Sequence, residues 1–402
     1  MPFAVYLLGL AVFAQGTSEF MLSGLIPGIA RDLQVSIPAA GLLTSAFAVG
    51  MVAGAPLMAV LSLRWPRRHA LLAFLLTFLL VHVVGAVTTS YEVLVATRVV
   101  AALANAGFLA VALATAIALA PPNAKARATS VLLGGVTIAC VAGVPGGALL
   151  GEVWGWRSAF WAVAAALVPA VLAVLRSVPG DSGTPARGGS PGPARATVRG
   201  ELRSLRQVRL LVLLLLGALV NGATFCAFTY LVPLLTGDTG IEAGWMPVLL
   251  ALFGLGSFAG VTISGRVADA RPMRLLVGGG VALAAGWIVF AATAGAVIPA
   301  IVLVFVQGTL SFAVGSTLIS QVLYTAAGAP TLGGASATAA FNVGAAVGPW
   351  LGGMAIGAGL GFRSPLWLSA LLVTVALALG AAARAGRSRA NQVEERQKHG
   401  AQ

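Results

Sequence analysis

Twelve stretches of about twenty residues, each apolar and nearly free of charge, constrain this chain more than any other feature. A helix needs roughly 20 such residues to cross the hydrocarbon core of a membrane. Within lipid a spanning helix satisfies its backbone N–H and C=O groups internally. The runs fall at residues 4–26, 39–62, 70–89, 91–114, 126–150, 157–176, 209–235, 244–265, 274–293, 297–320, 333–357 and 364–383. Composition agrees: 59% of the 402 residues are hydrophobic and only 9% charged, against roughly 25% charged in soluble domains. A soluble chain of this length would lack the polar residues to cover its surface. The expected fold class is therefore an all-α integral membrane protein with twelve transmembrane helices. The first run has no basic leader and carries Glu19, so it reads as a retained span.

Charge placement tests this drawing. With an even number of spans, both termini share one side. That side carries 20 of the 24 Lys and Arg residues. The other side has only Arg31, Arg157 and Arg363, and Arg98 lies inside a span. Such asymmetry marks the basic side as cytoplasmic, which implies a bacterial inner-membrane protein with both termini inside. The net charge of +13 is thus spread over loops, and no nucleic-acid partner is expected. A Gly/Pro/Arg-rich stretch, residues 179–208, reads as a solvated linker. It separates a six-span half (1–178) from a second (209–383), followed by a basic tail (384–402). The halves echo each other: Gly143-Val144-Pro145-Gly146-Gly147 in span five has a counterpart around Pro349 in span eleven. Six spans plus six implies two pseudo-symmetric halves with a midplane site between them.

Chemistry is sparse in such a chain, so the exceptions carry weight. Glu19 alone among eleven acidic residues sits well inside a span. An acid in hydrocarbon is costly and points to function; it can take up and release a proton as its surroundings change. A structural pair or a packing hydrogen bond is the plainer alternative. Arg98 is the only base within a span. Counting at 1.5 Å per residue puts both roughly 10 Å below the same boundary, which makes contact possible: either Arg98 pairs with Glu19 in one state of a cycle, or it hydrogen-bonds helix termini or snorkels outward. Phe20, Met21, Asn105, Asn221, Phe225, Tyr230, Gln321 and Asn342 are candidates to line a cavity, although many polar residues in spans serve only as helix glue. Gly143, Pro145, Gly146 and Gly147 form a candidate hinge, because glycines permit close helix approach and proline interrupts the hydrogen-bond ladder. His82 has no second His nearby, and Cys140 and Cys226 read as packing residues, so no metal site is expected. Neither a metalloprotease motif nor a phosphate-binding loop occurs, and no enzymatic activity or cofactor is expected.

These residues resemble the major facilitator superfamily along nearly the whole chain, and within it the twelve-helix drug:proton antiporters. The span-five run is similar to that family's antiporter motif. Arg98 stands at the position of its span-four arginine, and Trp154-Gly155-Trp156-Arg157-Ser158-Ala159-Phe160 resembles its approach to span six. The loop after span two keeps Arg64, Arg67 and Arg68 of the family's gate motif but lacks its Asp, while Gly265, Arg266 and Asp269 resemble part of a second gate. Ala14 through Leu22, Ala104 through Phe108, and Gly134 through Cys140 are similar to runs in the family's chloramphenicol exporters. The resemblance implies alternating access, with a small amphipathic drug leaving as protons enter through Glu19 and Arg98. It implies a monomer in the lipid bilayer that needs no cofactor beyond the proton gradient. Sugar and metabolite transporters on the same fold share the Ser-Glu-Phe region, which leaves them as the alternative.

Overall fold

The computed structural model describes residues 2–62, 65–121, 124–177, 207–267, 271–326 and 330–399. Most of the 179–208 linker lies outside the described residues. Among them are twelve helices long and apolar enough to cross a membrane. The short loops expected near residues 90 and 295 are present. Ser90 ends the first by accepting the Val93 N–H as the cap of span four, satisfying one of the helix's free donors. Spans four and ten run further than drawn from sequence, Tyr91–Leu119 and Val297–Thr325.

Two spans expected as continuous are not. Span one is a helix Phe3–Phe20 followed by a second, Leu22–Asp32, with the break at Met21. Span seven is Val208–Thr229 followed by Leu231–Gly237, with the break at Tyr230. A proline crowds the carbonyl four residues before it. For Pro233 that carbonyl belongs to Thr229, the last residue of the first helix. Broken spans at matching places in two halves are how transporters expose backbone near a midplane site.

Span five contains another irregularity. Lys125–Ile138 passes into a π-helical turn, Ala139–Gly143, and then into Val144–Trp154. The conflict made by Pro145 falls on Val141, inside this wider turn. Span nine has a similar turn, Leu275–Gly279, near its start. Span eleven, the counterpart of span five, stays one helix (Pro330–Gly357) with Pro349 inside it.

Each half has its own apolar core. One is built on residues such as Leu8, Leu43, Phe78, Phe108 and Leu167. The other is built on Leu231, Leu250, Trp287, Phe290 and Leu318, and it also takes in Val144 and Ala148 from span five. The halves therefore meet where the far half of span five docks on span eight. Gly254 permits this approach: a Cβ there would collide with the Cys140 carbonyl. Spans two and eleven form the other seam, where the Ser45 hydroxyl donates to the Ala346 carbonyl at 2.7 Å. At its far end the Tyr230 ring packs against Gly41 and Gly353. Both seams lie at the midplane or on the side opposite the termini.

Candidate transport site

A hydrogen-bonded polar cluster in the membrane interior is built on the last turn of the first helix of span one. Ser18 is fully buried there. His82, from span three, places Nε2 2.6 Å from the Ser18 hydroxyl oxygen and Nδ1 2.7 Å from the Phe78 carbonyl. A carbonyl only accepts, so in the neutral imidazole Nδ1 carries the proton and Nε2 accepts from Ser18. The serine oxygen is then free to receive Nη1 of Arg98 at 2.8 Å. Nη2 of Arg98 donates to the Ser18 carbonyl at 2.7 Å. The guanidinium also stands over the Phe47 ring, 4.7 Å from its centroid. Only 1% of Arg98 is exposed. A charge so placed is costly unless its donors are met, and three elements converge here to meet them.

Glu19 follows Ser18 directly and is half-buried. Sequence spacing puts Arg98 at its level, and the structure places Arg98 there. The guanidinium is bound to the neighbouring serine, however. The ion pairs among the described residues are Arg157–Asp32 and Arg363–Asp238, so the expected Glu19–Arg98 pair is not made in this state. Close by, both polar atoms of the buried Gln15 amide, the Thr17 hydroxyl and Arg98 Nε find no partner among the described residues. Buried polar groups are normally paired, so these four atoms are open to a ligand or water.

Phe20 leads from this cluster to the interface between halves. Its ring stacks on Phe225 of span seven with centroids 5.7 Å apart. The two line a small pocket with Cys140, Thr224, Phe228 and Ser257. The pocket has a volume of about 10 Å³, room for about one water, so the aromatic pair closes the midplane in this state. Gly143 packs on span one beside it: a Cβ there would collide with the Thr17 hydroxyl. Gly147 faces Met21 and Gly146 faces open space.

The other candidates are dispersed. Met21 is fully buried at the break in span one. Asn105 is buried with its amide 3.6 Å from the Met51 sulfur. Asn221 donates to the Phe341 carbonyl at 2.7 Å and the Tyr230 hydroxyl to the Pro349 carbonyl at 2.8 Å. Both bonds tie span seven to span eleven. Asn342 donates to Thr338 in its own helix, and Gln321 lines a separate cavity within the C-terminal half. In the gate loops, Arg68 donates to the Leu175 carbonyl at 2.8 Å, and Arg67 and Arg266 are exposed. Arg64 and Asp269 lie outside the described residues.

Sequence reasoning passed over the pairing of Asp32 with Arg157 and of Asp238 with Arg363. Each spans 125 residues of sequence. Each arginine follows a glycine of positive φ, Gly155 at 81° and Gly361 at 76°. Both segments read Gly-aromatic-Arg-Ser, the signal that would have found them. Reasoning from sequence also weighed His82 only as a metal ligand and set it aside.

Twelve spans in two halves, with broken helices and a buried charged cluster beside a midplane pocket, define a secondary transporter. The Major Facilitator Superfamily matches residues 8–339, and the chain belongs to that family. It is 56% identical over 377 residues to the chloramphenicol resistance protein of Streptomyces lividans, covering 94% of this chain and 95% of that one. It is 34% identical to the inner membrane transport protein YdhP of Escherichia coli (strain K12), covering 92% of this chain and 93% of the other. Its fold is shared with a bacterial homologue of the human lysosomal transporter Spinster in an inward-facing, occupied conformation. The TM-score is 0.75 at 18% identity, with 93% of this chain and 95% of that chain covered.

Proposed function

We propose that the protein exports a small amphipathic drug, with chloramphenicol the first candidate, and that inward proton movement drives the export. It works as a monomer in a bacterial cytoplasmic membrane with both termini inside. One observation carries the coupling: Glu19, which makes no ion pair among the described residues, stands between Ser18, which holds the buried Arg98, and Phe20 of the aromatic pair that closes the midplane pocket. The drug assignment rests on the identity with the Streptomyces relative.

The cycle follows from this placement. The halves touch at the midplane and on the side opposite the termini, so drug reaches the pocket from the terminal side and parts Phe20 from Phe225. Rocking of the halves then opens the far side. Protonation of Glu19 there removes its charge and leaves Arg98 on Ser18, which favours release. Deprotonation on the terminal side restores a carboxylate that draws Arg98 across from Ser18 and resets the site. A single acid suits a neutral substrate, since it has no drug cation to balance.

The test is chloramphenicol accumulation in sensitive cells producing the protein, with and without a protonophore. Lower accumulation that the protonophore reverses is the expected result. Unchanged accumulation with verified membrane insertion would move the substrate to a sugar, a metabolite or another drug.

A further inference from the structure

The C-terminal half contains a second, larger cavity of about 380 Å³ that takes no part in the cycle above. It lies among spans seven, nine, ten and twelve, within the bundle and away from the seams between halves. Its volume falls in the range of sites that hold a small ligand. Its deep end is Val220, Val314 and Val373, and its terminal-side end is Arg209, Met273 and Arg384. Arg209 to Val220 and Val373 to Arg384 are each eleven residues apart. At 1.5 Å per residue the cavity reaches roughly 16 Å into the membrane.

Two further features shape it. Span nine passes the cavity through its π-helical turn, Leu275–Gly279, which widens the helix and sets Leu276 and Val277 in the wall. Span twelve contributes small residues there, among them Ala376, Gly380 and Ala381. Val277, Val281 and Ala381 are exposed, so the wall opens toward lipid. Among the described residues charge is confined to the mouth: the two arginines enter no ion pair, and no acidic residue lines the cavity. A neutral drug would find apolar walls here but no use for two cations.

We propose that this cavity is a binding site for an anionic phospholipid of the leaflet on the terminal side. Arg209 and Arg384 bind the headgroup phosphate and one acyl chain lies along Val277, Leu377 and Val314. Basic pockets between spans at the cytoplasmic surface suit such headgroups, and arginine matches phosphate with paired donors.

Native mass spectrometry of the purified full chain, supplied with equal amounts of phosphatidylglycerol and phosphatidylcholine, tests this. One phosphatidylglycerol per chain is expected, favoured on the order of tenfold. Arg209→Gln with Arg384→Gln should abolish the preference. Val277→Trp, which fills the cavity and keeps both charges, should lose bound lipid altogether, so the two variants fail in different ways and either suffices if the other does not fold. Equal retention of both lipids, or an unchanged preference in the double variant, would overturn the proposal. So would a wild-type chain that retains neither lipid.

Discussion

The two halves solve the same structural problem with the same parts and then part company in their cores. At the surface opposite the termini they nearly superimpose in sequence: an offset of 206 residues carries Asp32 to Asp238, Gly155 to Gly361 and Arg157 to Arg363. Inside the membrane the match ends. Ser18, His82 and Arg98 form a hydrogen-bonded group in the first half. Near the equivalent depth of the second half stand Phe228, Trp287, Phe290 and Val304, an uncharged, largely aromatic wall with the Gln307 amide beside it. A charge in hydrocarbon costs far more free energy than a neutral polar group, so the half that retains one has a use for it. Fold symmetry therefore does not extend to chemistry: one half carries charge, and the other offers it an apolar surface to work against.

Removing the acid gives the largest expected effect. Glu19→Gln keeps the shape and a hydrogen-bonding side chain but cannot release a proton. Proton-driven export should vanish in inverted vesicles under an imposed pH gradient, while chloramphenicol binding remains. Full export by this variant would place the coupling elsewhere and end the contrast between the halves.

His82 should come next. In His82→Ala the Ser18 hydroxyl loses its acceptor and Arg98 its oriented partner, at about 1–3 kcal/mol for a buried group left unmet. Export should fall roughly tenfold to a hundredfold, by the same energy, and its pH profile should move. Trp287→Phe, at the matching depth of the second half, should lower thermal stability and leave the pH profile in place. A shift of equal size in both would mean that His82 acts through packing alone.

The contrast between surface and interior also explains what could be read from sequence. Spans are legible because lipid tolerates no long polar interruption. Depth is legible too, since rise per residue is fixed, and this placed Arg98 level with Glu19. Direction around the helix axis is not, so the partner proved to be Ser18. Serines in apolar runs commonly bond their own helix, as Ser257 does with Phe253, and nothing in composition separates Ser18 from these. The break at Tyr230 had a signal in Pro233, whose ring crowds the Thr229 carbonyl. Met21 is an ordinary membrane residue and gave no warning.

Span five supplies a sharper comparison within one motif. Gly143 has the Thr17 hydroxyl where a Cβ would stand, while Gly146 faces open space. Gly143→Ala should therefore destabilise the protein by about 1–3 kcal/mol, as overpacking does, and impair export by pushing span one away. Gly146→Ala should leave melting temperature within error and export close to normal. Thermal melts in detergent with vesicle export distinguish these outcomes. Equal effects would show that the motif works through backbone freedom, independent of contact with span one.

The smallest effects belong to the paired surface charges, where the halves are most alike. Asp32 accepts from both Arg157 and the Trp156 indole, the latter at 3.0 Å; Asp238 accepts from Arg363 at 2.8 Å, and Phe362 stands where the indole would be. Hydrogen bonds from Arg157 and then Trp156 hold the Asp32 carboxyl below the ordinary aspartate range. A carboxyl lowered by folding adds stability that is complete above its unfolded value, about 3.9, and is lost as pH falls toward the folded one. The contribution is thus constant from pH 5 to 8. Because both side chains are part-exposed, it should amount to less than about 1 kcal/mol. Asp32→Asn should lower the melting temperature slightly at pH 7, by more than Asp238→Asn, since it weakens two contacts instead of one. Below about pH 4 the gap between wild type and Asp32→Asn should close. A gap that persisted there would show that the indole contact, which survives protonation, sets the value of this site.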